Sequence, residues 1–299
     1  MVRSPTPPRH HELPRFYLSG FCDPQQSQLW VFRKGAAFHP GKKRSHNPRQ
    51  TGIVSIALRP DGYVAYGDDG TPHYDYERKL QQLEERAVPA LRCIHGLKAM
   101  DGSAKVALAD YLWLMFRRVS QHDDDILPLL REKIRSLALD DEARKLAFSG
   151  QFNAAQNVLR VQQLLQSHEG RTELLRQYMF RPYEDVRALV LSRPWLMHVA
   201  APGMFFVTSD APVVYDRARG LGSASLYFPL SQRVLLEVCP NTQGDLEYVD
   251  LSVQQTRERN QHTIRSGARE VYSPRPEEWI HHELTSLTLP RDDGLIPIV

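Results

Sequence analysis

What most constrains this chain is where its two hydrophobic periods fall. Near both ends apolar residues recur at every second position in short runs, whereas through the middle they recur every three to four positions. The runs 16–21, 29–32, 53–58 and 63–66 read as strands. Gly35, Pro40 and Gly41 open a loop after the second of them, and Asp61-Gly62 predicts a turn that joins the last two as a hairpin. From Tyr76 the period becomes helical: Leu80, Leu83, Ala87 and Leu91 share one face, and Pro89 is expected to kink the helix. A second helix over 104–121 carries Leu108, Tyr111, Leu112, Met115, Phe116 and Val119, a stripe dense enough for the centre of a fold. Further helices are expected near 126–137, 141–166 and 172–191. After Pro194 strand-like runs return at 195–200, 204–208, 213–215, 226–228 and 233–238, followed by a helix over 253–267 and a last strand at 271–272.

Segregated blocks of this kind predict an α+β fold rather than a doubly wound sheet. The helical middle block should pack with short, mostly antiparallel strands from the N-terminal and C-terminal thirds. The expected organisation is a tail at 1–10 and a single domain over 11–299. Within that domain 11–70 is strand-rich, 76–192 helical, 195–275 strand-rich with a late helix, and 276–299 a C-terminal tail.

At 299 residues such a chain can bury roughly 75% of the surface its unfolded form exposes, so a sizeable core is available. Apolar and charged fractions of 41% and 24% exclude a globally disordered or fibrous class. Cys22, Cys93 and Cys239 are widely spaced and odd in number, which fits a reducing compartment better than a disulfide framework. The start of the chain is rich in Pro, Arg and His and has no secretory apolar stretch, and no uncharged run approaches the roughly 18 residues of a membrane span. A cytoplasmic protein without a membrane partner is expected.

The net charge of +3 is local in origin. No acid lies between Asp23 and Asp61, while that interval holds Arg33, Lys34, Lys42, Lys43, Arg44, Arg49 and Arg59. A nucleic-acid partner met through 33–59 is one reading, with Arg33, Lys34, Lys42, Lys43 and Arg44 on the substrate side. A solvated loop is the plainer one, since Phe38 is the segment's single aromatic beyond Arg33 on which a base could stack.

The opening motif, His11-x-x-Pro14-Arg15-x-Tyr17-Leu18-x-x-Phe21, is followed by Tyr76-Glu77 and Glu84, then Phe206-x-x-Ser209-Asp210-x-Pro212-Val213, Phe228-Pro229-Leu230-Ser231, Asn260-Gln261 and Val271-Tyr272. In order and spacing this series resembles the bacterial domain-of-unknown-function family 4238 over nearly the whole chain. The second helix departs from the pattern, ending in Arg117-Arg118-Val119-Ser120 where an Arg and a Thr-Pro-like break would be looked for. The resemblance implies a shared fold and a bacterial or phage-related setting, and no reaction.

Roles therefore rest on side-chain chemistry. His11 is suited to general acid or base work, and Arg15 to holding a phosphate or carboxylate; a strand cap and an ion pair are their plainer roles. Glu77 and Glu84 are two turns apart on one helical face, a spacing that serves either a shared divalent ion or a solvated, ion-paired surface. If Glu77 is buried it needs Arg118 or Arg15 as partner. Asp210 follows an apolar strand and is either presented to a crevice or bonded to its own turn. His122-Asp123-Asp124-Asp125 is better read as the capped start of a helix, and His281-His282-Glu283 lacks the spacing of a zinc site. No phosphate loop, dinucleotide loop or nucleophile elbow occurs, so no nucleotide cofactor is indicated.

Two functional readings result. In one, the protein is a nuclease-type hydrolase of nucleic acid with His11, Arg15, Glu77, Arg118 and Asp210 as catalytic residues and Asn260 beside the substrate. Its metal is then unknown, with Glu77, Glu84 and Asp210 as candidate ligands. In the other, it is a binding or sensing module of a bacterial defence or toxin system, whose polar residues form a buried network while the basic segment docks a partner. An open site lined by these residues favours the first, and a sealed, internally bonded one the second.

Overall fold

Each short strand near the N-terminus needs partners from elsewhere in the chain, because an isolated pair of this length has too little apolar surface to stand alone. The computed structural model describes residues 9–23, 25–34, 48–60, 65–66, 72–119, 139–156, 159, 184–216, 219–240, 245–267 and 269–286. In chain order its elements are β1 (Arg9–His11), α1 (Arg15–Ser19), β2 (Gln28–Arg33), β3 (Arg49–Gly52), β4 (Leu58–Pro60), β5 (Ala65–Tyr66) and β6 (Pro72–His73). The helices α2 (Asp75–His95), α3 (Gly102–Arg117), α4 (Leu139–Phe148) and α5 (Glu184–Ser192) follow. The last third holds β7 (Trp195–Val199), β8 (Thr208–Ser209), β9 (Val214–Tyr215), β10 (Leu226–Pro229), β11 (Val234–Val238) and β12 (Leu246–Asp250), then α6 (Val253–Ser266), β13 (Glu270–Ser273) and α7 (Glu278–Ser286).

The fold is α+β, as the segregated periods predict. A five-stranded sheet runs β12-β7-β11-β10-β9 and is antiparallel except where β12 pairs parallel to β7. A four-stranded sheet runs β3-β2-β13-β8 and is antiparallel throughout, so its centre joins residues from the two ends of the chain: Phe32 lies opposite Val271, and Val31 opposite Tyr272. Two small antiparallel pairs, β1 with β4 and β5 with β6, flank these.

Packing follows the amphipathic faces. Leu91 and Ile94 of α2 and Leu108, Tyr111 and Met115 of α3 meet Trp195, Met197, Phe228, Leu236 and Val238 on one side of the five-stranded sheet. Each fully buried residue of this size contributes about 1.5–3 kcal/mol. The other side carries a smaller cluster of Phe206, Leu235 and Leu251. Phe32 and Val271 of the four-stranded sheet are covered by Ile264 of α6 and by Ile280 and Leu284 of α7. The helix starts are written locally: Asp101 accepts the Ala104 N–H at 2.7 Å, and Ser252 with Gln255 forms a capping box.

Several elements differ from expectation. Residues 16–21 are not a strand; Tyr17, Leu18 and Phe21 follow the helical rather than the alternating spacing, and Arg15–Ser19 forms α1. Ile53–Ser55 is a 3-10 turn, β4 pairs with β1 and β5 pairs with β6, so among the described residues 53–58 and 65–66 do not form the expected hairpin, whose turn at 61–62 lies outside them. The helix expected over 141–166 is interrupted after α4 at Gly150, whose φ of +80° is a left-handed conformation that suits glycine. Strand β12, and helix α7 within the stretch read as a C-terminal tail, were not anticipated. The helix expected near 126–137, its cap at Asp125, and Lys42, Lys43 and Arg44 lie outside the described residues. Among the described residues no helix is long and apolar enough to cross a membrane.

Candidate functional site

The family-like motifs converge on the N-terminal segment through buried polar bonds. Arg118, 3% exposed, follows the last turn of α3 and donates one guanidinium N–H to Glu84 of α2 at 2.6 Å and another to the His11 carbonyl at 2.7 Å. The Glu84 side chain is 21% exposed. A cation so deeply buried is tolerated because both bonds replace its lost hydration. The His11 ring approaches the Ile56 carbonyl, with Nδ1 at 3.2 Å. Arg118, Glu84 and His11 thus form one clamp, while Arg15 and Glu77 lie exposed on α1 and the first turn of α2. Glu77 is therefore not the buried acid that would have required Arg118.

A second set of bonds ties α1 to both sheets. The buried Tyr17 hydroxyl donates to the Pro229 carbonyl at 2.7 Å and lies 2.8 Å from Thr208 Oγ1. Having one proton, it must accept from Thr208. Burial pushes this phenol well above its ordinary range, opposed in part by the Thr208 bond. Asn260 of α6, fully buried, accepts the Val207 N–H at 2.9 Å and donates to the Phe205 carbonyl at 2.8 Å. It holds the segment leading into β8, and its side chain is sealed from solvent.

Asp210 closes the end of β8. Its carboxylate accepts the Arg269 N–H at 2.9 Å, its own N–H donates to the Glu270 carbonyl at 3.1 Å, and Ser209 Oγ bonds the Ala211 carbonyl at 2.9 Å. Glu270 in turn accepts from Arg33 Nε at 2.9 Å and from the Tyr272 hydroxyl at 3.0 Å. Burial first, and then the charges of Glu270, Asp210 and Glu12, raise the Tyr272 phenol, so the residue after His11 and the Ser-Asp motif approach one tyrosine. Among the described residues no group of three His, Cys, Asp or Glu side chains is placed to hold a metal ion; Glu77, Glu84 and Asp210 do not come together as a ligand set.

Cations gather where β2 ends. The Lys34 N–H donates to the Arg269 carbonyl at 2.9 Å, and its ammonium bonds the carbonyls of Arg265, at 3.0 Å, and Gly267. A cation at the C-terminus of α6 complements the helix dipole. Gly267 is required there by space: a Cβ would stand 2.8 Å from Ser209 Cβ. Arg265 and Arg269 are exposed, and Arg33 keeps 57% exposure despite its pairing with Glu270. Arg33, Lys34, Arg265 and Arg269, from the end of β2, α6 and the turn into β13, thus lie along one edge, where Glu270 pairs with Arg33 and Asp210 accepts the Arg269 N–H.

The remaining polar cluster is absent from the sequence reading. His198 on β7 and Glu237 on β11, both buried, are bonded Nε2 to Oε2 at 2.7 Å, and Arg259 of α6 reaches the same carboxylate at 3.2 Å. Burial alone raises the Glu237 carboxyl, but His198, Arg259, Ser225 and Tyr227 together bring it down to about 2. The Arg259 guanidinium sits 5.2 Å from the centre of the Tyr227 ring, and His262 stacks on that ring at 5.3 Å. The available signal was a single His or Glu in the middle of otherwise apolar strands, Trp-Leu-Met-His-Val and Val-Leu-Leu-Glu-Val.

With this geometry in place, comparison with known proteins adds one finding. A family model described as a protein of unknown function, DUF4238, matches residues 9–277. No curated protein and no solved structure matches the chain.

Proposed function

The chain belongs to the DUF4238 family, whose description assigns no reaction, and on its own side chains we propose that it is a binding module for nucleic acid, not a hydrolase. The observation that carries this is the basic edge: Arg33, Lys34, Arg265 and Arg269 come from β2, α6 and the turn into β13, and three of them are exposed. Phosphate groups are the ligand chemistry that such an edge attracts, and the chain continues from Lys34 into Lys42, Lys43 and Arg44. The motif residues support binding rather than metal-assisted cleavage, because that chemistry asks for acids gathered at one open site, and Glu77, Glu84 and Asp210 do not gather. Arg118 and Glu84 are engaged with each other and with the His11 carbonyl, and Asn260 is sealed beneath β8. That network fixes the scaffold on which the edge is displayed.

The test is binding of labelled single-stranded DNA, duplex DNA and RNA at stepped salt concentrations, by wild type and by Arg265→Glu combined with Arg269→Glu. Affinity should fall with salt, and the paired variant should bind more weakly with a shallower slope, each lost contact changing it by roughly 0.7–0.9. The same nucleic acids are incubated with magnesium, manganese or EDTA. Cleavage that is abolished in Asp210→Ala would return the protein to the hydrolases, and binding indifferent to salt and to the two arginines would remove the edge from its function.

A further inference from the structure

Charge alone does not choose between a single strand and a duplex; an aromatic surface does, and one lies on the helix that carries Arg265. His262 is one turn earlier on α6, about 4.5 Å along the axis, and is exposed. Its imidazole stacks on Tyr227, with ring centroids 5.3 Å apart and planes 9° from parallel. Tyr227 covers one face of the imidazole, and His262 as a whole is exposed.

The platform is held from below. The Arg259 guanidinium packs on the Tyr227 ring, and Arg259 and His198 both bond Glu237 beside it. A surface immobilised before the ligand arrives loses little freedom on binding. Burial, followed by the charges of Arg259 and Arg265, lowers the His262 pKa below its ordinary value, with Glu237 and Glu258 opposing. At neutral pH the ring is therefore a flat, uncharged surface.

We propose that the His262–Tyr227 stack is a nucleobase subsite: an unpaired base stacks on the outer face of His262 while the phosphates of its strand follow Arg265, Arg269 and Arg33. The ligand class is single-stranded nucleic acid, because a base inside a duplex is already stacked and cannot offer its face. This rests on the nucleic-acid reading of the basic edge and names the strand that the edge takes.

The experiment measures anisotropy of labelled poly-dT, poly-U, an abasic strand of equal length and a poly-dA·poly-dT duplex, with the full chain and its His262→Ala and His262→Phe variants. Wild type should bind poly-dT or poly-U more tightly than the abasic strand or the duplex, and the tighter of the two identifies DNA or RNA as the source. His262→Ala should weaken base-bearing strands roughly 5- to 150-fold for one stacked base, leave the abasic strand unchanged, and be restored by His262→Phe. Equal binding of abasic and base-bearing strands, an equal loss on both in His262→Ala, or failure of His262→Phe to restore binding overturns the subsite and leaves the basic edge standing. Absence of binding to every probe overturns the edge itself, and the subsite with it.

Discussion

Replacing Glu84 by alanine isolates the energetic role of the clamp. The change removes the carboxylate that Arg118, 3% exposed, meets at 2.6 Å and leaves its bond to the His11 carbonyl in place. Removing one partner of a buried ion pair typically costs about 3–5 kcal/mol, and partial exposure of Glu84 places this case near the lower figure, about 3 kcal/mol. In a chain of this size that lowers the thermal midpoint by about 5 °C. Urea and thermal unfolding of wild type, Glu84→Ala, Glu77→Ala and the double variant Glu84→Leu with Arg118→Met would measure it. Glu77→Ala, on an exposed turn of the same helix, should stay within about 0.5 kcal/mol of wild type. The double variant should recover most of the loss, since it removes both charges and keeps their volume. A Glu84→Ala cost no larger than that of Glu77→Ala would refute the claim that the clamp is a buried, paired site.

Other outcomes follow from single contacts. Glu237 has a folded pKa of about 2 against an ordinary 4.5, so its contribution is present above about pH 4.5 and is lost as pH falls toward 2; urea midpoints over that window should drop for wild type, and Glu237→Gln should remove this component of the slope. Tyr17→Phe leaves Thr208 and the Pro229 carbonyl without a buried partner and should cost about 1–3 kcal/mol in denaturant titration, with fluorescence and circular dichroism agreeing. Gly267→Ala puts a methyl group 2.8 Å from Ser209 Cβ and should destabilise by about 1–3 kcal/mol, and combining it with Ser209→Gly should recover part of the loss in the same titration.

Long helical periods were legible in the sequence and short elements were not, for a physical reason. Asp75–His95 and Gly102–Arg117 span several turns, enough for Leu80, Ala87, Leu91 and Leu108, Leu112, Met115 to declare their faces. The helix at Arg15–Ser19 completes little more than one turn, too few residues to separate a helical period from an alternating one. Strand Leu246–Asp250 was missed because it is the outer strand of its sheet, half exposed, with Glu247 and Asp250 facing solvent. Residue types at the candidate site were visible, but their partners were not. Glu84 meets Arg118 across 34 positions, Asp210 meets the Arg269 N–H across 59, and His198 meets Glu237 across 39. Nothing local in Asn260 tells that its amide would be spent on Phe205 and Val207.

The pairing of β2 with β13 sets an order on the making of the protein. Arg33 and Glu270, opposite each other in that ladder, are 237 residues apart. At synthesis rates of about 5–20 residues per second, β2 leaves the ribosome roughly 10–50 s before its central partner exists. Throughout that interval Leu29, Val31 and Phe32, all buried in the finished fold, have only β3 beside them. The α2–α3 pair, by contrast, is complete within a short stretch of chain and can form early from local contacts. The nascent chain therefore carries a helical body and an apolar strand paired on one side only, and the four-stranded sheet that displays the basic edge is among the last parts to close.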